Sequence, residues 1–233
     1  GKIIRSGDII GDTEKDLCVR AAKLLQQQTH CPLGVEIHVK KLIPAGAGMG
    51  GGSSDAATTL MGLNALWNLN LSKKELLQLA PQLGADVPFF LLGTNAWVEG
   101  IGEKLTPVEI PETTFAIIWP GISQSTGEIF SHKDLTRDSN YVKIPNFESS
   151  LTEETLRNLG RNDLEPIVKK VNPEVAVLLD NFKRFRLTGS GSAAFAILSK
   201  QEAEEIFKTI PKKWQHFFVK SLKIHPVSSA LPC

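Results

Sequence analysis

The stretch Pro44-Ala45-Gly46-Ala47-Gly48-Met49-Gly50-Gly51-Gly52-Ser53-Ser54-Asp55-Ala56-Ala57 narrows most what this chain can fold into. Glycine loses more backbone freedom on folding than any other residue, so a glycine-rich run is a poor choice for a purely structural turn. It suits a place where bare backbone must come close to a ligand. Without side chains, backbone N–H groups can turn inward and line an anion-binding concavity. A helical pattern follows the run, and a helix start adds free N–H groups and the positive end of a dipole. Ser53 and Ser54 contribute hydroxyl donors, and Ala56 and Ala57 keep the first turn slim. Such a concavity fits a triphosphate; a flexible loop capped by serine is the plain alternative.

Two phosphate-binding patterns fail here. Gly46, Gly48 and Gly51 match the G-x-G-x-x-G dinucleotide fingerprint. That fingerprint needs an acidic residue about 20 positions on, at the end of the next strand. Glu75 stands near that offset, but within a Ser72-to-Glu75 capping box that opens a helix. The Walker loop ends in Gly-Lys-Ser/Thr, whereas here Ser53 follows Gly52 directly. The run is a third kind of phosphate loop.

The flanking patterns indicate mixed sheet and helix. The first residues read as a strand. Asp12 to Asp16 reads as a helix start, followed by Leu17, Ala21, Leu24 and Leu25 on one helical face. Val35, Ile37 and Val39 alternate with Glu36, His38 and Lys40 as in a half-buried strand. Ala56, Leu60, Leu63 and Trp67 form a helical stripe, and Pro81 and Gly84 close the helix begun at Ser72. Strands are expected at 96–99, 115–119, 184–188, 193–198 and 216–220. Helices are expected at 126–133, 151–159, 163–171, 173–183 and from 201. No regular βαβ period is present. The class expected is α+β in two domains, 1–108 and 109–233, with the acidic, proline-bearing Pro107–Glu112 segment at the boundary.

Composition removes several function classes. The formal net charge of the 233-residue chain is +1, without the basic excess of a protein that lives on nucleic acid or an anionic membrane. No apolar run could span a bilayer. Three cysteines, Cys18, Cys31 and Cys233, have no metal-binding spacing, and five histidines are scattered, so no metal site is expected and the thiols read as idle in a reducing cytosol.

Two further segments carry chemistry. Leu83-Gly84-Ala85-Asp86-Val87-Pro88-Phe89-Phe90 places an aspartate before a proline, which alone reads equally well as a helix N-cap. Leu187-Thr188-Gly189-Ser190-Gly191-Ser192 is a glycine turn between strands, and by itself a hairpin or bulge. Taken in order, the three segments resemble the central motif, the Gly-Ala-Asp-Val-Pro segment and the third motif of the GHMP kinases. Asp16-Leu17 with Val19-Arg20-Ala21-Ala22, Gly100-Ile101-Gly102-Glu103, Pro120-Gly121-Ile122-Ser123 and Asn162-Asp163-Leu164-Glu165 are similar to the diphosphocytidyl-methylerythritol branch rather than to galactokinase or mevalonate kinase. The resemblance covers nearly the whole chain.

The resemblance implies a ribosomal-protein-like N-terminal domain, a ferredoxin-like C-terminal domain and ATP bound between them. ATP, accompanied by Mg²⁺, would be held by Pro44, Ala45, Gly46, Ala47, Gly48, Met49, Gly50, Gly51, Gly52, Ser53 and Ser54. Lys41 falls at a family position beside the nucleotide, where a solvated strand-end lysine is the alternative. Asp86 would be the catalytic base, with Val87, Phe89 and Phe90 keeping the site dry. Thr126 falls where the family contacts its substrate, and Thr188, Gly189, Ser190 and Gly191 would face the phosphates. The implied reaction is phosphorylation of the 2-hydroxyl of the small-molecule cytidyl substrate, a step of the non-mevalonate isoprenoid pathway. The implied compartment is the bacterial cytoplasm, with the plastid stroma as second option. The family's opening Lys-x-Asn-Leu strand and its Tyr-His pair against the cytosine have no counterpart here. The expectation is therefore a chain lacking that N-terminal segment and, alone, inactive. The competing readings are another GHMP small-molecule kinase and a non-catalytic RNA-binding module.

Overall fold

Two aspartates set how the chain begins. Asp12 accepts from the Glu14 N–H to open a short 3-10 turn, Thr13–Lys15, and Asp16 accepts from the Cys18 N–H to cap helix α1, Leu17–Thr29. An acceptor at the N-cap satisfies one of the N–H groups that a first turn leaves orphaned. The computed structural model describes residues 1–139 and 151–227.

The described residues fall into two units. The first holds residues 1–43, 50–109 and 223–227; the second holds 44–49, 110–139 and 151–222. Residues 44–49, the first half of the glycine run, thus group with the second unit although the chain enters and leaves them from the first.

In the first unit, β1 (Ile3–Gly7) and β2 (Val35–Val39) run parallel, in register from Ile3↔Val35 to Gly7↔Val39, with α1 as the crossover. Ala21, Ala22 and Leu25 of α1 and Ala56, Ala57 and Leu60 of α2 (Gly51–Leu66) have no exposed surface. Small residues on both helices let the two pack closely. Leu76 of α3 (Lys73–Leu79) and Val87 and Leu91 of α4 (Val87–Leu92) complete this core. The capping box of Ser72 and Glu75 forms as the sequence predicts, and Pro81 lies in a 3-10 turn, Ala80–Gln82, just after α3 ends. A hairpin follows, β3 (Ala96–Glu99) with β4 (Lys104–Pro107). The pattern reading missed β4, which is four residues long and ends in proline.

The second unit is built from β5 (Thr114–Trp119), α5 (Thr126–Ser131), α6 (Glu153–Asn158), α7 (Glu165–Val171), α8 (Pro173–Asn181), β6 (Arg186–Leu187), β7 (Ala194–Ile197), α9 (Lys200–Phe207) and β8 (Gln215–Lys220). Its four strands lie in the order β6-β7-β5-β8, all pairs antiparallel. That order, with helices after the first and third strands of the sheet, is the ferredoxin-like arrangement expected. Ala116, Ile118, Leu178, Leu187 and Ala194 lie in its core. The strand expected at 184–188 is shorter, because Lys183 and Arg184 lie in a turn closed by Phe185 N–H on Phe182 O.

One ion pair joins β1 to the start of α1. Arg5 Nε donates to Asp16 Oδ2 at 2.9 Å, with the two side chains 1% and 10% exposed. The other guanidinium nitrogens donate to the carbonyls of Ser6 and Asp8. Burial works to raise the pKa of Asp16, but the Cys18 N–H and the Arg5 guanidinium outweigh it and hold the carboxyl below its ordinary value. Burial also pushes the Cys18 thiol up to about 11, which keeps it unreactive. Arg5→Met leaves a buried carboxylate without its partner and is expected to lower unfolding free energy by about 3–5 kcal/mol in urea titrations. Because the folded pKa of Asp16 is depressed, its stabilisation is complete above the ordinary value of 3.8 and fades as pH falls through the lower, folded value. Acid titration of Asp16→Asn should lack that component.

Candidate active site

The glycine run is held by its carbonyl groups. Gly46 O accepts from the Gln124 N–H at 2.8 Å, and Ala47 O accepts from the Ala193 N–H at 3.0 Å. Gly48 O accepts from the Thr188 hydroxyl at 2.9 Å. Gly46, Gly48 and Gly50 have φ of 66°, 74° and 70°, a left-handed conformation that disfavours side chains. A Cβ on Gly48 would sit 2.2 Å from the Thr188 carbonyl oxygen. Among the described residues, no hydrogen bond takes up the backbone N–H groups from Gly46 to Ser53, and the first bonded one is Ser54 N–H, to Gly50 O. Carbonyls bound and N–H groups free is the polarity of an anion-binding nest.

The glycine turn packs against this loop within the second unit. Thr188 N–H donates to Ala193 O and Gly191 N–H to Thr188 O, while Gly189 and Gly191 take φ of 51° and 77°. Thr126 Oγ1 lies 2.8 Å from Ser190 Oγ. Asn162, from the family-like segment Asn162-Asp163-Leu164-Glu165, donates to both Leu187 O and Gly189 O, at 3.0 and 2.8 Å. Gln124 is half of another support that sequence reasoning missed: its side-chain carbonyl accepts from Asn172. Neither has a local sequence signal, since their partners lie far along the chain. Thr126, Thr188, Gly189, Ser190 and Gly191 are therefore gathered beside residues 46–48.

Lys41, Gly50 to Ser54 and Asp86 lie in the first unit. Lys41 Nζ donates to Asp55 Oδ2 at 2.6 Å, tying the lysine to the first turns of α2, and its backbone N–H is held by Asp8. Ser53 and Ser54 lie in the first turn of α2. Gly50, the N-terminal neighbour of that helix, abuts Phe90 of α4, where a Cβ would meet ring atoms at 2.8 Å. Phe89 and Phe90 meet edge to face at 5.3 Å between centroids. Val87 is fully buried in the first core and so lines no site. Asp86 directly precedes α4 with φ −88° and ψ −12°, and its side chain makes no capping hydrogen bond. The carboxylate is exposed and, among the described residues, accepts no hydrogen bond. The cap reading of Asp86 is thus not realised.

Residues 16–94 match the model of the GHMP kinase N-terminal domain and residues 144–216 that of the GHMP kinase C-terminal domain. The chain is 46% identical to 4-diphosphocytidyl-2-C-methyl-D-erythritol kinase of Burkholderia multivorans, over 97% of this chain and 80% of that protein. The chain belongs to the 4-diphosphocytidyl-2-C-methyl-D-erythritol kinase family. Members of the family are small-molecule kinases, and this chain is one. A crystal structure of 4-(cytidine 5'-diphospho)-2C-methyl-D-erythritol kinase superimposes with a TM-score of 0.73 at 30% identity, covering 94% of this kinase and 82% of that chain. Homoserine kinase from Cytophaga hutchinsonii, at 17% identity and a TM-score of 0.62 over 96% of this chain and 82% of that one, shares the fold.

Two glycines of this kinase make a matched test. Gly48→Ala places a Cβ against the Thr188 carbonyl at a positive φ, with strain of about 1–3 kcal/mol. It should lower Tm and weaken ATP binding measured by calorimetry. Gly62→Ala, inside α2 with nothing within 4 Å of the new Cβ, should instead raise stability by about 0.5–1 kcal/mol and leave ATP affinity alone.

Proposed function

We propose that this kinase transfers the γ-phosphoryl group of ATP to the 2-hydroxyl of 4-diphosphocytidyl-2-C-methyl-D-erythritol, in isoprenoid precursor biosynthesis by the non-mevalonate route. The observation that carries the nucleotide half is the run of unbonded N–H groups from Gly46 to Ser53, continuous with the start of α2. A triphosphate supplies the acceptors those groups lack, and the helix dipole favours its charge. The substrate half rests on the family, whose named members act on this compound.

Asp86 is the proposed base. Its uncommitted carboxylate can orient the attacking hydroxyl and accept its proton as oxygen bonds to the γ-phosphorus. The bond from that phosphorus to the bridging oxygen breaks, and ADP leaves. Lys41, Ser53 and Ser54 are assigned to the nucleotide, and Thr126, Thr188, Gly189, Ser190 and Gly191 to substrate and phosphates. No group of three or more His, Cys, Asp or Glu able to hold a metal occurs among the described residues. Mg²⁺ would come with ATP, as this ion commonly does with substrate phosphates. Among the described residues no helix is long and apolar enough to cross a membrane. On the strength of its bacterial relatives, we place the enzyme in the bacterial cytoplasm.

Asp86→Asn in the full-length enzyme should lower kcat by about 10²–10⁴-fold with ATP affinity unchanged. Retention of kcat with only a fall in Tm would remove Asp86 from the chemistry. In a substrate panel, mevalonate and homoserine should be turned over negligibly beside the cytidyl compound; comparable efficiency would overturn the substrate assignment.

A further inference from the structure

We propose that Gly102, at the tip of the β3–β4 hairpin, is a positioning residue for Asp86. The hairpin tip is exposed on either side of it: Ile101 is 78% exposed and Glu103 is exposed, yet Gly102 between them is buried. What it meets is the backbone of Ala85, the residue before Asp86. A Cβ on Gly102 would lie 1.9 Å from the Ala85 carbonyl oxygen, 2.7 Å from its carbon and 3.0 Å from its Cα. The contact is backbone on backbone, and only glycine permits it. The φ of Gly102, 115°, adds a second exclusion of side chains.

The tip is itself fixed. Ile101 N–H donates to Glu103 Oε2 at 2.7 Å and Gly102 N–H to Glu99 O at 3.3 Å. Val108 N–H closes the base of the hairpin on Asn95 O at 2.9 Å. On the other side of Asp86, α4 anchors the chain: Phe90 N–H donates to Asp86 O, and Val87 and Leu91 are buried in the core. Asp86 is therefore clamped through its backbone, by the hairpin at Ala85 and by α4 after it, while no hydrogen bond among the described residues holds its carboxylate. A base free at its side chain but fixed at its backbone keeps proton-accepting capacity without losing aim.

This rests on the reading of Asp86 as base, and the test separates the two. In the full-length enzyme, Gly102→Ala should lower kcat by about 10–100-fold with KM for ATP unchanged, the effect of a small displacement of a reacting group. Gly100→Ala is the matched control. It shares the positive φ, 71°, and the same turn, but its Cβ would meet only the movable Glu103 carboxylate. It should cost similar Tm and, by displacing that carboxylate from Ile101 N–H, lower kcat only mildly, well short of the Gly102→Ala loss. Glu103→Ala loosens the tip without adding atoms and should lower kcat in the same sense, more mildly. Equal kcat losses for Gly102→Ala and Gly100→Ala, or a Gly102→Ala loss seen only in Tm or in KM for ATP, would overturn the proposal. If Gly102→Ala does not fold, unchanged kcat in Glu103→Ala overturns it instead. Retained kcat in Asp86→Asn would discard the base reading itself, independently of these variants.

Discussion

The carbonyl groups of Gly46, Ala47 and Gly48 are bound, and the site follows from that. Each is fixed by a donor from elsewhere in the second unit: Gln124 N–H, Ala193 N–H and the Thr188 hydroxyl. A peptide plane cannot present its carbonyl and its N–H to the same side. Committing the carbonyls orients the N–H groups away from them, and the positive φ of Gly46, Gly48 and Gly50 lets successive planes alternate without a side-chain clash. The glycines are then required by geometry, and their cost in chain entropy is met by tertiary hydrogen bonds rather than by local turn preference.

That dependence separates what could be read in the sequence from what could not. The elements with local signals were legible. Asp16 caps α1, the alternation from Val35 to Val39 gives β2, the Ser72 and Glu75 box opens α3, and the Ala56, Leu60 and Leu63 stripe is buried. The glycine run and the order of the three motifs were legible as a family resemblance, and with them the sheet order of the second unit. No periodicity in the chain specifies that β5 lies between β7 and β8, since strand order is a long-range property. β4 was illegible because four residues ending in proline carry no alternation to count. Asn162 and Gln124 were illegible as supports because their partners lie 25 or more residues away, at Leu187 O, Gly189 O and Asn172.

The supports around the loop are mostly uncharged. Backbone N–H groups, a hydroxyl and side-chain amides hold the loop and the turn, and none of these changes charge with pH. Beside the proposed polyphosphate site, an ionic support would compete with the ligand or repel it. Charge enters in the first unit, through Lys41 and Asp55 at α2, where the pair is only partly exposed.

The aspartates near the start of the chain and the loop separate into those with structural partners and one, Asp86, left without a cap partner. Asp8 accepts from the Lys41 backbone, Asp16 from Arg5 and the Cys18 N–H, and Asp55 from Lys41 Nζ. Asp86 occupies the position where a cap would be most expected, directly before α4, and does not cap. The reason lies in its neighbours. An N-cap carboxylate bonds the N–H of the second or third helical residue. The second residue of α4 is Pro88, which has no N–H. Asp86 also adopts αR angles instead of the extended ones typical of a capping residue, so the carboxylate is not folded back over the helix start. Forgoing the cap sacrifices about 0.5–2 kcal/mol of helix stability. The burial of Val87 and Leu91 anchors α4 regardless. Pro88 thus removes one of the two donors a cap would use, and the αR angles of Asp86 keep its carboxylate off the other, the Phe89 N–H, which leaves a helix start with an uncapped aspartate.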